Sequence, residues 1–380
     1  MIKLYTKRRV NTDIILLMII ILLGAISLVS INSAEALLGS RADNYTLKQA
    51  TWYVIGFIAI LIISFIGNKN ILKYSKYLYI AGVISLILVL FFGKTVNNSR
   101  CWFEIPYIGA FQPSEFMKVI LILTLSSMID KFHDKYPLPT VKQEFFFIIR
   151  VLGIVAIPSI LTFLQPDTGI VLIYLIITFV MLFISGIRYR WFIMVIGGLA
   201  LIIGSILGIY FLSKDMFINI FGTSFFLRVD RLLDWSTGSG YQLENGITAI
   251  GSGGLLGFGM NNTPIYFPEP QTDFIFAVYA SNYGFIGSVV LLLLLLLLDI
   301  RLLYRGTKAK HNIEKYIIGG CVGMLIYQQV QNIGMTYGLL PITGITLPFI
   351  SYGGSSLISY LLIIGIILNV QTDDKLHLNK

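Results

Sequence analysis

The chain has 380 residues, of which 56% are hydrophobic and only 12% are charged, and its formal net charge is +9. Soluble globular domains carry about 25% charged residues, so this composition excludes a set of soluble domains and indicates a protein that crosses a membrane repeatedly. The two cysteines, Cys101 and Cys321, cannot by themselves form a disulfide framework or a zinc site.

Ten apolar runs are long enough to cross a bilayer, which takes roughly 17–25 residues. The first run lacks a small-residue cleavage site after it, so we expect a retained span rather than a signal peptide. The predicted cores are Ile14–Ile31, Ala50–Ile66, Tyr77–Phe92, Phe111–Ile129, Phe145–Leu164, Gly169–Ile187, Trp191–Leu212, Phe274–Leu298, Tyr316–Ile333 and Gly344–Val370. The expected fold is an all-α polytopic membrane protein with ten transmembrane helices, forming a single membrane domain over residues 1–380.

The distribution of positive charge predicts the orientation of these spans. Of the 28 Lys and Arg residues, 20 fall on the side of the N-terminus, seven fall on the other side, and Lys118 lies inside a span. Because loops rich in Lys and Arg stay in the cytoplasm, both termini are predicted to be cytoplasmic.

One connection on the predicted outer side is long, covering residues 213–273 between the seventh and eighth spans. Long loops in compact proteins are usually functional or disordered, and this one is too apolar for disorder. We expect it to fold back on the membrane surface, with the functional site facing outward.

Several familiar sites are absent from the sequence. Gly93-Lys94-Thr95 resembles the end of a phosphate-binding loop, but Leu88 occupies the required upstream glycine position. The three histidines, His133, His311 and His377, have no metal-ligand spacing. ATPase and metalloenzyme functions are therefore disfavoured.

A lysine and a glutamate open the fourth span in Gln112-Pro-Ser-Glu-Phe-Met-Lys118. Glu115 and Lys118 are three residues apart and share one helix face. The sequence leaves two alternatives: a structural lysine that pairs with Glu115 and snorkels outward, or a functional intramembrane charge.

Three further charged residues lie on the predicted outer side, one on a tight turn and two on a short amphipathic surface helix. Asp167, in Gln165-Pro-Asp-Thr-Gly169, is in a position to cap the next helix, which explains it without a function. Arg228 and Arg231 lie in an amphipathic stretch, where they either pair with neighbouring carboxylates or hold an anionic headgroup.

Asp273 precedes the eighth span directly, in Pro268-Glu-Pro-Gln-Thr-Asp-Phe274. From periodicity alone, a helix-capping role is favoured over a functional role. A carboxylate at a helix N-terminus also stays ionised, as a general base must.

The last outer turn, Asn332–Ser356, has no charge but is rich in Gly, Pro and hydroxyl groups. Prolines within a predicted span favour a broken helix that lines a cavity over a closely packed one.

Taken together, these motifs resemble the shape, elongation, division and sporulation (SEDS) family, which comprises the RodA, FtsW and SpoVE proteins. The matching elements follow one another in order along the chain: Asn97-Asn-Ser-Arg-Cys-Trp102, Gln112–Lys118, Gln165–Gly169, Pro268–Ala277 and Thr343–Ser356. The chain length is nearer to RodA than to FtsW.

The resemblance implies a peptidoglycan glycosyltransferase that polymerises lipid II on the outer face of the bacterial cytoplasmic membrane. The resemblance also implies that Asp273 is the catalytic residue, which reverses the preference for a capping role. The implied partner is a class B penicillin-binding protein, which is a transpeptidase. The expected ligands are lipid II, the polyprenyl-pyrophosphate-linked glycan and membrane lipid, without nucleic acid. No cofactor is implied with certainty, and assistance by Mg²⁺ or Mn²⁺ is left open. The expected substrate-binding residues are Arg100, Trp102, Glu115, Lys118, Asp167, Arg228, Arg231, Gln242, Thr272, Ser351 and Ser355.

The sequence departs from the family pattern at three places. Ser281 and Asn282 stand where members commonly carry an acidic pair, Thr346 replaces a proline, and Phe258 replaces a lysine. These changes are compatible with a divergent paralogue, and the missing acidic pair keeps a non-catalytic scaffold for the transpeptidase as an alternative. Ten spans, a broken last helix and the intramembrane Lys118 would also suit a lipid II flippase.

Overall fold

The structure is a computed structural model that describes residues 13–96, 99–105, 109–223, 226 and 240–371. Its helices are α1 (Ile14–Leu38), α2 (Tyr45–Ile66), α3 (Asn68–Lys73), α4 (Ser75–Phe92), α5 (Pro113–Lys135), α6 (Val141–Phe163), α7 (Thr168–Ile184), α8 (Arg190–Leu212), α9 (Lys214–Phe221), α10 (Tyr241–Ser252), α11 (Ile275–Lys308), α12 (Asn312–Thr336) and α13 (Gly354–Leu368). The predicted helical fold class is therefore confirmed.

Within the described part of the chain, six helices are long and apolar enough to cross a membrane, namely α1, α2, α4, α6, α8 and α11. The shorter helices α7 and α13 are also apolar. Each predicted span overlaps one of these eight helices or the more polar α5 and α12. The number ten itself, and the orientation, stay predictions.

A small antiparallel sheet, which the periodicity did not predict, follows α4. It contains β1 (Lys94–Val96), β2 (Ser99–Ile105) and β3 (Gly109–Phe111) in that order. In this sheet Phe103 pairs with Phe111 and Lys94 pairs with Trp102. The sheet leads into α5 at Pro113, a residue suited to the first turn of a helix.

The last predicted span begins ten residues later than expected. Helix α13 starts at Gly354, and the preceding residues 341–353 form irregular backbone. Pro341 and Pro348 cannot donate helical hydrogen bonds, and Gly344 has a φ of 70°, outside helical geometry. Because this segment lines the cavity described below, the expectation of a broken span beside a cavity is confirmed.

Helix α11 has a break at Gly284, where φ is 62° and ψ is −159°. The glycine-rich segment 253–259 packs against this break: the Phe258 and Gly259 amides donate to the carbonyls of Ser281 and Asn282, at 3.1 and 2.9 Å. The glycine cluster therefore serves close backbone packing.

Ser281 and Asn282, the two residues that depart from the expected acidic pair, lie in this packed region. Both are fully buried, and the Asn282 side chain accepts a hydrogen bond from the Thr263 hydroxyl at 2.8 Å. A buried carboxylate pair here would need counter-charges, whereas the neutral side chains do not.

Candidate active site

A large cavity of about 1460 Å³ lies where six segments of the described chain converge. Its walls come from the start of α2, the β2 strand, the start of α5, the turn before α7, and the two irregular segments that precede α11 and α13. The lining includes the sequence-predicted residues Trp102, Glu115, Asp167, Thr272, Asp273 and Ser355. Residues far apart in the sequence therefore meet at one polar site.

Asp273 sits on a backbone that is fixed from several directions. The Asn332 side-chain amide donates to the Asp273 carbonyl at 2.9 Å, and the Ser351 hydroxyl donates to the Thr272 carbonyl at 2.6 Å. The next residue, Phe274, is fully buried against Gly246 of α10. The position of the Asp273 backbone is thus set by α10, α12 and the irregular segment before α13.

The Asp273 carboxylate is not a helix cap. Helix α11 begins at Ile275, and the capping position, Phe274, provides no side-chain hydrogen bond. The carboxylate instead faces the cavity beside Gly344 and has no hydrogen-bond partner among the described residues. Capping therefore does not explain this aspartate.

The pKa of Asp273 is raised to about 7, chiefly because burial disfavours the charged form and secondarily because Glu269 and Asp167 are negative neighbours. A general base works best when its pKa is close to the operating pH. This carboxylate therefore has the proton affinity suited to accepting a proton near neutrality.

Asp167 is a cap as well as a cavity residue. Its carboxylate accepts hydrogen bonds from the Ile170 amide at 3.2 Å and from the Gln112 side chain at 2.8 Å. Burial raises its pKa to about 6, against the effect of those hydrogen bonds. The predicted capping role is confirmed, and the second oxygen ties the start of α5 to the start of α7.

Glu115 and Lys118 form a buried ion pair of 2.6 Å between Nζ and Oε2. Lys118 has no exposed surface, and its ammonium lies 4.8 Å from the centre of the Tyr360 ring. The expected pairing is confirmed, but the lysine turns inward rather than snorkelling, because Glu115 and the ring face lie inside the bundle. Glu115 lines the cavity, and Lys118 stands behind it.

The other expected substrate-binding residues that the structure describes, Arg100, Gln242 and Ser351, lie outside the cavity lining. The Arg100 guanidinium is exposed and donates to the Leu90 carbonyl at 3.2 Å, outside the cavity lining. Gln242 donates to the Pro268 carbonyl at 3.1 Å, so it supports the segment carrying Asp273 from behind, as Ser351 does. Arg228 and Arg231 lie outside the described residues.

The cavity also contains residues that the sequence did not single out. Lys48 lines it and pairs with Asp43 at 2.5 Å, and Glu269 lies beside Asp273. Glu269 has a φ of 51°, an unusual backbone for a non-glycine residue in a loop flanked by prolines. The sequence could have indicated Glu269 as a cavity residue, because it lies in the Pro268–Phe274 motif that also contains Asp273.

Carboxylates outnumber cations in the described cavity lining. The cation is Lys48, and the carboxylates are Asp43, Glu104, Glu115, Asp167, Glu269 and Asp273. Among the described residues, no group of three or more His, Cys, Asp or Glu side chains has the geometry of a metal site. No Mg²⁺ or Mn²⁺ ligand set can therefore be assigned from these residues.

Comparison with known proteins identifies the family. The sequence profile of the FtsW, RodA and SpoVE cell cycle proteins matches residues 11–376. The chain belongs to this family. It is 34% identical over 360 residues to the probable peptidoglycan glycosyltransferase FtsW of Coxiella burnetii, covering 91% of this chain and 92% of the relative. It is 33% identical over 383 residues to stage V sporulation protein E of Bacillus subtilis, covering 96% and 98%.

Solved structures agree with this assignment. A chain from a peptidoglycan synthase complex, described as coordinating polymerization and crosslinking, superimposes with a TM-score of 0.76 at 26% identity, over 94% of this chain and 97% of that one. The rod shape determining protein RodA of Thermus thermophilus gives a TM-score of 0.68 at 27% identity, over 94% and 96%. The described fold is thus that of an integral membrane protein of this family.

Proposed function

We propose that this protein is a peptidoglycan glycosyltransferase that polymerises lipid II at the outer face of the bacterial cytoplasmic membrane. The family relationship and the names of the relatives support the reaction class. The observation that carries the proposal is the Asp273 carboxylate, held on a fixed backbone, unbonded by the described residues and facing a cavity of about 1460 Å³.

In the proposed reaction Asp273 accepts the proton of the C4 hydroxyl on the acceptor sugar. The C4 oxygen forms a bond to C1 of the donor sugar as the bond from C1 to the pyrophosphate oxygen breaks. The electron pair of that bond leaves with the polyprenyl pyrophosphate. A single displacement inverts C1, so an α-linked precursor gives β-linked glycan. A positioned base of this kind contributes about 10²–10⁴-fold to the rate.

The leaving pyrophosphate gains negative charge and needs cations close by. Lys48 is the cation within the described lining, and Lys118 acts from behind Glu115. We assign Lys48 a role in holding the donor. Arg228 and Arg231 stay sequence-derived candidates, whereas Arg100 lies outside the cavity lining. Asp43 keeps the Lys48 ammonium oriented until an anionic group replaces that carboxylate.

The proposed partner is a class B penicillin-binding protein, the transpeptidase that crosslinks the new glycan. The similarity to a chain of a synthase complex that coordinates polymerization and crosslinking supports this pairing. The proposed orientation, with ten spans and both termini in the cytoplasm, puts the Asp273 cavity outside, where lipid II is consumed.

The decisive experiment compares glycan chain formation from lipid II by the native protein and by Asp273→Asn, each purified with the transpeptidase from the same genome. Glu104→Gln is the matched control, because Glu104 also lines the cavity but is exposed and paired with Lys94 at 2.8 Å. Polymer from the native protein and the control, but not from Asp273→Asn, supports the proposal.

Three other outcomes would contradict it. Equal polymer from Asp273→Asn would remove this carboxylate from the mechanism. No polymer from any form, together with transfer of lipid II between vesicle leaflets, would favour the flippase, and the absence of both activities would favour the scaffold.

A further inference from the structure

A second pocket lies at the opposite end of α5 from the Asp273 cavity. It has a volume of about 500 Å³ and is formed by the end of α5 and the start of α6. Glu115 at the first cavity and Lys135 at this pocket are 20 residues apart on α5, about 30 Å at 1.5 Å per residue. That length is about the thickness of the bilayer hydrocarbon core, so the two sites lie at opposite membrane surfaces.

Four cations line this pocket: Lys131, Lys135, Lys142 and Arg150. No described carboxylate lies within ion-pair distance of any of them. The nearby Glu144 does not line the pocket and is engaged by Arg188 and by the Trp191 ring nitrogen. Asp130 interacts electrostatically with Lys131 without forming an ion pair, so the four cations are only partly offset and the pocket keeps an excess of positive charge.

Helix α6 adds to the positive electrostatic potential of the pocket. Its N-terminus is fixed by a capping box in which Thr140 and Gln143 bond each other's backbone amides, and both residues line the pocket. The positive end of a 23-residue helix dipole thus faces the same space as the four cations. Two independent features of the pocket favour an anion.

The pocket is also bounded by apolar side chains that lead to the lipid-facing surface. Phe132 and Phe147 stack at 4.1 Å between ring centres and join α5 to α6 beneath the cations. Phe146 lines the pocket yet is 56% exposed, and Ile149 continues that exposed apolar surface along α6. An occupant with both a negative head and an apolar tail fits this arrangement better than a free anion.

We propose that this pocket binds the phosphate headgroup of an anionic phospholipid from the cytoplasmic leaflet, with its acyl chains along Phe146 and Ile149. Basic pockets between membrane helices on that side suit such headgroups, and each lysine or arginine near the surface contributes about fivefold to binding. The site is separate from lipid II polymerisation, and its test does not depend on that activity.

The test measures lipid bound to the purified full-length protein by native mass spectrometry during titration with phosphatidylglycerol or with zwitterionic phosphatidylethanolamine. The variant Lys135→Gln/Lys142→Gln removes two pocket charges, and Lys131→Gln/Arg150→Gln removes the other two. The charge-matched control is Lys73→Gln/Lys76→Gln, exposed on the same predicted face but outside the pocket.

We expect saturable phosphatidylglycerol binding that is about 30-fold weaker in each pocket variant and unchanged in the control. Equal weakening in the control, or equal binding of phosphatidylethanolamine, would overturn the proposal, since either result would show non-specific attraction. Displacement of the lipid by millimolar inorganic phosphate would assign the pocket to a soluble anion and would also overturn it.

Discussion

Asn332 holds the Asp273 backbone and the opposite cavity wall with one side-chain amide. Its Nδ2 atom donates to the Asp273 carbonyl at 2.9 Å and to the Ile345 carbonyl at 2.7 Å. Asn332 itself is fully buried. Because Ile345 belongs to the irregular segment before α13, this amide ties the base to the wall that faces it, together with the Ser351 hydroxyl, which donates to the Thr272 carbonyl.

We therefore expect Asn332→Ala to lower the turnover number for lipid II about 10²-fold, since small misplacement of a reacting group has effects of that size. The KM should change little, because the amide does not face substrate. The control is Asn68→Ala, whose buried amide joins two helices through the Ile366 carbonyl at 2.9 Å, away from the cavity. Equal loss of turnover in both variants would mean that general destabilisation, not positioning, is the cause.

The polymerisation rate should rise with pH through about 7. Asp273 acts in its ionised form, and burial raises its pKa to about 7, so the active fraction falls below that pH. The rate should drop about tenfold per pH unit below the midpoint and level off above it. Initial rates of glycan formation from pH 5 to 9 test this.

A substitution at Glu269 tests the same prediction, because the negative charge of Glu269 is one cause of the raised pKa of Asp273. Glu269→Gln should move the midpoint of the pH profile to lower pH, whereas Glu104→Gln, at an exposed lining position, should leave it in place. A midpoint that does not move in Glu269→Gln would show that another group controls the profile.

Helix α11 should not tolerate a side chain at its break. Gly284 has a φ of 62° and a ψ of −159°, a backbone region essentially restricted to glycine, and a Cβ there would lie 2.5 Å from the Gly257 amide nitrogen. We expect Gly284→Ala to destabilise the protein by about 3 kcal/mol or more, read as a lower midpoint of thermal unfolding in detergent.

Gly153→Ala is the control for that substitution. Gly153 lies inside α6 with open space around the position of a Cβ, so alanine there should be neutral or stabilising by up to about 1 kcal/mol. Similar destabilisation by both substitutions would contradict the assignment of Gly284 as a required backbone position.

The helices were predictable from the sequence because long apolar runs have few alternatives in a membrane. The catalytic candidate was not predictable from periodicity, which favoured Asp273 as a cap; only the family motif pointed to it. The presence of Lys48 and Glu269 in the cavity was not predictable from the sequence. The two residues belong to segments that only the fold brings together. The inward orientation of the Lys118 side chain was not predictable either, because it depends on Tyr360, which lies 242 residues later in the chain.

The Glu115–Lys118 pair supplies the last prediction, which concerns stability. Glu115→Gln leaves the fully buried Lys118 ammonium without its counter-charge, at a cost of about 3–5 kcal/mol. The double variant Glu115→Gln/Lys118→Met removes both charges and keeps the volume, so it should recover most of the loss. The measurement is a double-mutant cycle by thermal unfolding. It compares the native protein, Glu115→Gln, Lys118→Met and the double variant. If the double variant is as unstable as the sum of the singles, the two side chains do not act as a pair.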